Sequence, residues 1–239
     1  MISVCMATYN GEKYVKQQLQ SILEQLSDDD EVIVSDDKST DGTLDVIKSL
    51  NDKRVRIFVN QRSKHGLEKI QLVTTNFENA LNHSHGDIIF LSDQDDVWAD
   101  DKVKVSLKYL EKYDYIVSNY YITDENLNVV KESNNIKNRW KYLITSTPYT
   151  GSCAAFKRKV LDKAMPFPKG LQSHDRWIGF IASFFYKYDV IPEKLLYYRR
   201  NNGSASTTTL EKDVSDNTVG KRISIRLFYI IHLLKVAFR

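Results

Sequence analysis

Four short apolar runs recur through the first half of this chain, each ending in polar residues and followed by a stretch with helical spacing. Ile2–Ala7, Glu31–Ser35, Val55–Val59 and Asp87–Leu91 read as strands. A first helical pattern runs to about Leu26 through Tyr14, Leu19, Ile22 and Leu23, and a second through Val46, Ile47 and Leu50 after Asp41-Gly42-Thr43. A third runs from Leu67 to Leu81 and a fourth from Asp100 to Tyr113. Strands alternating with helices predict a parallel sheet with right-handed crossovers, hence an α/β fold with a Rossmann-like nucleotide-binding half. Ligands of such sheets sit outside the carboxyl ends of the strands. A GxGxxG turn is absent, which argues against a nicotinamide-dependent dehydrogenase. At 239 residues the chain is long enough for one large domain with a full core.

The strand ends carry the chemistry. Ser92-Asp93-Gln94-Asp95-Asp96-Val97-Trp98 follows the run Ile88-Ile89-Phe90-Leu91 directly. Asp93, Asp95 and Asp96 repel one another there unless a cation neutralises them or water screens them. A hard divalent ion, Mn2+ or Mg2+, shared between a few carboxylates and phosphate oxygens suits the cluster; a solvated acidic loop is the plain alternative. A calcium-loop reading fails, because Lys48 stands where the loop from Asp37 needs glutamate and Trp98 where the loop from Asp93 needs glycine. Thr8-Tyr9-Asn10, Ser35-Asp36-Asp37-Lys38-Ser39 and Asn60-Gln61-Arg62 end the other three strands, and His174-Asp175-Arg176-Trp177 opens a later helix. These five segments are expected to converge on one cleft with the polar character of a nucleotide pocket.

The second half is less regular. Tyr115–Ser118, Tyr142–Thr147 and Lys194–Arg199 read as strands, and Lys157–Lys163 and Arg176–Tyr188 as helices, with Pro166 and Pro168 marking a loop. Residues 201–218 are polar and read as a flexible loop. The net charge of +3 makes no case for nucleic acid, yet 219–239 holds Lys221, Arg222, Arg226, Lys235 and Arg239 and no acid. That basic, apolar tail suits an amphipathic helix on an anionic membrane surface, a helix packed on the domain, or the contact of a homodimer. Cys5 and Cys153 stand in no metal or redox spacing and read as buried bystanders in a reduced compartment. With no signal-peptide pattern and no span-length apolar stretch, the expected location is cytoplasmic, peripheral on the inner face of the membrane if the tail binds there. The Asn202-Gly203-Ser204 sequon then carries no modification.

The segments SVCMATYNGEKYVKQQLQSI, VSDDKSTDGT and GDIIFLSDQDDVWADDKV, followed by HDRW and YYRRN, resemble in order and spacing the family 2 glycosyltransferases of the GT-A fold. The form is that of the bacterial surface-polysaccharide, rhamnosyltransferase-like branch, and it covers roughly residues 1–200. The resemblance implies one GT-A domain over 1–200, with a nucleotide-sugar half (1–113) and an acceptor half (114–200). It implies that Thr8, Tyr9, Asn10 and one carboxylate of the Asp36/Asp37 pair hold a pyrimidine nucleotide, whose imide N–H a carboxylate accepts. Asp95 would be the direct metal ligand, and Asp93 would contact ribose or reach the ion through water. Asp96 would cap the next helix or orient its neighbours. Arg62 and Lys64, or Arg199 and Arg200, would meet the diphosphate. Asp175 would be the general base of an inverting transfer, with His174 and Trp177 toward the acceptor. A plain helix cap for His174-Asp175 and a core position for Trp177 are the alternatives. One departure stands out: relatives often place histidine after the Tyr-Arg pair, and this chain has Asn201 after Arg200. The activity implied is metal-dependent transfer from a UDP- or dTDP-sugar to a hydroxyl of a lipid-linked glycan in cell-surface polysaccharide synthesis. A non-catalytic nucleotide- or glycan-binding subunit is a second reading. A sugar nucleotidyltransferase is a third, disfavoured because Thr8-Tyr9-Asn10-Gly11 lacks a Gly- and basic-rich triphosphate loop.

Overall fold

The computed structural model describes residues 1–61, 66–134, 150–200 and 219–238, the last segment with side chains from 224 onward. Its strands are β1 (Ile2–Thr8), β2 (Glu31–Asp36), β3 (Val55–Val59), β4 (Ile88–Asp93), β5 (Val97–Trp98), β6 (Tyr115–Thr123), β7 (Val129–Glu132), β8 (Ala154–Lys157) and β9 (Tyr188–Arg199). Its helices are α1 (Val15–Leu23), α2 (Thr43–Ser49), α3 (Lys69–Asn82), α4 (Lys102–Leu110), α5 (Arg158–Ala164), α6 (His174–Phe185) and α7 (Val219–Ala237).

One sheet runs in the order β3-β2-β1-β4-β8-β6-β9-β5, with β7 paired to β6. The first four strands are parallel, as the alternating pattern predicts. β8 enters antiparallel between β4 and β6, β9 runs parallel to β6, and β5 pairs antiparallel with the end of β9. β1 and β2 are buried almost throughout because helices cover both faces, which is why they read as unbroken apolar runs. α3 starts on a capping box: Glu68 and Gln71 satisfy each other's backbone N–H groups at its first turn.

Four features differ from the sequence reading. β8 is unforeseen, since Ala154-Ala155 has weak strand propensity and only pairing with Phe90 and Ile116 makes it a strand. β9 begins at Tyr188, so the helix expected to reach that residue stops at Phe185. β5 and β7 are short edge pairings without a sequence signal of their own. The expected strand at Tyr142–Thr147 and the loop at 201–218 lie outside the described residues.

The tail does form a helix. α7 lays Tyr229, Leu233 and Val236 against the body of the protein, where Tyr229 meets Phe180 edge-on at 5.3 Å and its hydroxyl donates to the Ser173 carbonyl (3.3 Å). Among the described residues no helix is long and apolar enough to cross a membrane.

Candidate functional site

Backbone register builds one wall of the site. Thr8 pairs with Asp36 across β1 and β2, and Ala7 pairs with Asp93 across β1 and β4. Three parallel strands therefore end level, and their last residues open on a cleft of about 450 Å³. Ala7, Thr8, Tyr9, Asp37, Asp93, Gln94 and Asp95 line that side. Lys69, Val73 and Asn76 of α3, the Gly151 turn, and Ser173, His174 and Asp175 at the start of α6 line the other, with Tyr198 and Arg199 from β9.

The Asp36/Asp37 alternative resolves. Asp36 is fully buried and accepts from Thr8 Oγ1 (2.9 Å), Ser39 N–H (2.8 Å) and Ser39 Oγ (2.6 Å), so it braces the turn. Asp37 lines the cleft, its own N–H donating to the Thr8 carbonyl (2.9 Å). Thr8 reaches the cleft but spends its hydroxyl on Asp36. Asn10 does not line it. Its φ of 48° and its side-chain oxygen, which accepts the Thr40 N–H (2.8 Å), make it a brace for the turn after β2. Arg62 and Lys64 lie outside the described residues, as does Asn201.

Gln94, given no role from sequence, holds the nucleotide wall together. Its Oε1 accepts the Tyr9 N–H (2.9 Å) and its Nε2 donates to the Tyr9 carbonyl (3.0 Å), as a neighbouring strand would. Gly11 lies against the same amide, where a β-carbon would collide with Gln94.

The acidic cluster is strained electrostatically. Burial pushes the Asp93 carboxyl up to about 7, the charges of Asp95 and Asp175 add to this, and the Ser152 hydroxyl, donating at 2.5 Å, opposes it. Burial, with Asp95 and Asp93 beside it, holds Asp96 well above the usual carboxylate range. Asp96 does not cap α4. Its Oδ1 accepts the Arg199 N–H (3.1 Å), tying the loop to β9, and among the described residues its buried Oδ2 has no hydrogen-bond partner. Behind the cluster Lys102 is buried, with Nζ donating to the Ser152 carbonyl (2.7 Å), and burial lowers it to about 8. Neither Ser152 nor Lys102 was predicted.

One expectation is corrected. Trp177 is fully buried, with Nε1 donating to the Ala164 carbonyl (2.8 Å), so it fills the core and meets no acceptor. Arg199 lines the cleft as expected, and its guanidinium is held there by the Glu125 carbonyl (3.0 Å), Gln17 Oε1 (2.6 Å) and the Tyr14 ring at 4.5 Å, none of which carries a charge. His174 reaches the cleft edge but is largely buried and stacked on Phe77 at 4.0 Å, and burial holds its imidazole below the usual range. Asp175 lies in the first turn of α6, with Oδ1 accepting from Ser173 Oγ and from the Arg176 N–H (2.7 Å).

Among the described residues no three His, Cys, Asp or Glu side chains form a cage that would hold an ion by protein atoms alone. The donor set still fits a divalent cation: crowded carboxylates at a cleft, with an orphaned oxygen behind them, are what an ion shared with phosphate oxygens relieves.

Residues 3–165, more than half of the chain, match Glycosyl transferase family 2. The chain belongs to that family and is a glycosyltransferase. The transferase is 37% identical to the dTDP-rhamnosyl transferase RfbG of Shigella flexneri, over 44% of this chain and 36% of that protein. It is 32% identical to the GalNAc(5)-diNAcBac-PP-undecaprenol β-1,3-glucosyltransferase of Campylobacter jejuni, over 55% of this chain and 41% of that protein. The Staphylococcus aureus TarS structure with UDP-GlcNAc superposes with a TM-score of 0.67 at 22% identity, over 85% of this chain and 59% of that one. That likeness establishes the GT-A fold, and this transferase spans well under two thirds of each of the three proteins.

Proposed function

We propose that the transferase moves a sugar from a UDP- or dTDP-sugar to a hydroxyl of a lipid-linked glycan in bacterial surface-polysaccharide synthesis, with inversion at the transferred carbon. The observation that carries this reading is the placing of Asp37, the Asp93/Asp95 pair and Asp175 around a single cleft. The names of the relatives, which give a dTDP-rhamnosyl donor and an undecaprenol-diphosphate acceptor, support the two substrate classes.

Asp37 accepts the imide N–H of the base, and the Tyr9 backbone, fixed by Gln94, forms the floor beside it. Asp95 would hold a divalent cation such as Mn2+ or Mg2+, and Asp93, steadied by Ser152, would hold ribose or reach the cation through water. The ion, when bound, stabilises charge on the departing diphosphate. Asp175 takes the proton of the acceptor hydroxyl as that oxygen attacks the sugar carbon, its carboxylate oriented by Ser173. Burial lowers the basicity of the nearby His174 imidazole.

The test is calorimetric titration of UDP and dTDP, with and without manganese, into the native chain and Asp95→Ala. Cation-dependent binding that disappears in the variant is expected. Absence of binding by either nucleotide would sink the donor assignment.

A further inference from the structure

α7 is apolar on two faces, and among the described residues only one of them is packed. The inward stripe of Tyr229, Leu233 and Val236 is buried against α6. The outward stripe is Leu227, Ile230, Ile231, Leu234 and Phe238, exposed by 44% to 89%. These positions fall three and four apart, so they form one continuous band along the helix. Scattered exposed apolar side chains are ordinary, but a band of this kind marks a surface that is covered by something.

Charge identifies what covers it. Residues 219–239 contain Lys221, Arg222, Arg226, Lys235 and Arg239 and no acid. Arg226 and Lys235 are exposed. An apolar band with basic residues around it matches a phase that is apolar inside and negative at its surface. Among the described residues this helix is not apolar enough to cross such a phase and suits lying in it.

We propose that the outward face of α7 docks on an anionic lipid surface and so turns the Asp175 side of the cleft toward it. The second clause rests on the transferase reading and the first does not. The link between them is Ser173, whose carbonyl accepts from the Tyr229 hydroxyl at 3.3 Å while its own hydroxyl donates to Asp175. Arg176, next to the base, lies 5.8 Å from the Tyr229 ring. The helix that meets the lipid is therefore anchored at the residue that orients the base. A lipid-linked acceptor arrives at this end of the cleft.

The experiment is flotation of the full chain with vesicles of phosphatidylcholine alone or mixed with phosphatidylglycerol. It is run at about 0.1 M and about 1 M salt, between which the screening length falls from about 10 Å to about 3 Å. Native protein floats with the anionic vesicles at low salt only. Arg226→Glu with Lys235→Glu lowers partitioning by about tenfold or more, given the contribution of each basic side chain near an anionic surface. Ile230→Glu with Leu234→Glu lowers it similarly, and both variants keep native circular dichroism and nucleotide affinity. Unchanged flotation of the Ile230/Leu234 variant overturns the proposal. So does native protein that stays with the unbound fraction and instead forms a dimer broken by that variant, which assigns the band to a second copy. Flotation needs no turnover, so its failure and that of the transferase reading are separable.

Discussion

The two walls of the cleft are held by different means. On the strand-end wall, backbone pairing sets Thr8 beside Asp36 and Ala7 beside Asp93, so the strand ends come level by register, and the Gln94 amide then fixes the Tyr9 backbone beyond them. On the helix-end wall, individual side chains do the placing. Ser173 orients Asp175, Phe77 stacks under His174, and Thr74 Oγ1 accepts the His174 N–H (3.2 Å) while donating to the Gln172 carbonyl (2.9 Å). The strand register persists through side-chain substitution because the hydrogen-bonded ladder is made by the backbone. A contact-built wall can be re-aimed one residue at a time.

The largest expected effect separates the walls. Asp175→Asn lowers turnover by about a thousandfold, the middle of the range for a lost general base, and leaves the nucleotide dissociation constant within about twofold of native. Near-native turnover in the variant would remove Asp175 from the mechanism. A smaller effect comes from the other wall. Gln94→Ala deletes both hydrogen bonds to Tyr9, each with a net contribution of about 1 kcal/mol, and so weakens nucleotide binding by up to about thirtyfold. An unchanged affinity would show that the Tyr9 floor stands without its clamp.

The smallest effect is a slope. In cation-free protein the Asp93 carboxyl is raised to about 7 from an ordinary 3.8. The unfolded chain releases this proton near 4 and the folded protein holds it to about 7, so the folded state binds more protons between those values. Its contribution to stability is full below about 4 and is lost as pH rises to about 7. Thermal melting between about pH 4 and about pH 7 should show this fall, and Asp93→Asn should flatten it. A fall of equal size in the variant would assign the slope to other groups.

Much of the strand-end wall was legible in the sequence. Parallel strands buried on both faces announce themselves as apolar runs, and the polar residues after them land where such sheets bind ligands. What was illegible there were choices between neighbours. Asp36 and Asp37 are chemically identical, and only the turn that satisfies Asp36 from three donors leaves Asp37 for the cleft. On the helix-end wall the sequence placed Asp175, His174 and Arg199, and all three line the cleft. Trp177 at helical spacing suits a core or a sugar equally, and the Ala164 carbonyl that decides the matter is a tertiary contact. Ser152 and Lys102 were invisible for the same reason: Lys102 reaches the Ser152 carbonyl, and the Ser152 hydroxyl reaches Asp93, across long stretches of chain. β8 escaped notice because its alanines form a strand only between two partners already in place.

The contact between Gly11 and the Gln94 amide has a consequence for how substitutions at the two positions combine. A β-carbon at position 11 overlaps the Gln94 amide where it now sits, so a side chain there makes that amide move away from its place against Tyr9. The two positions are therefore coupled: what Gly11→Ala does to the Tyr9 backbone depends on which side chain stands at 94, and the two substitutions together do not add.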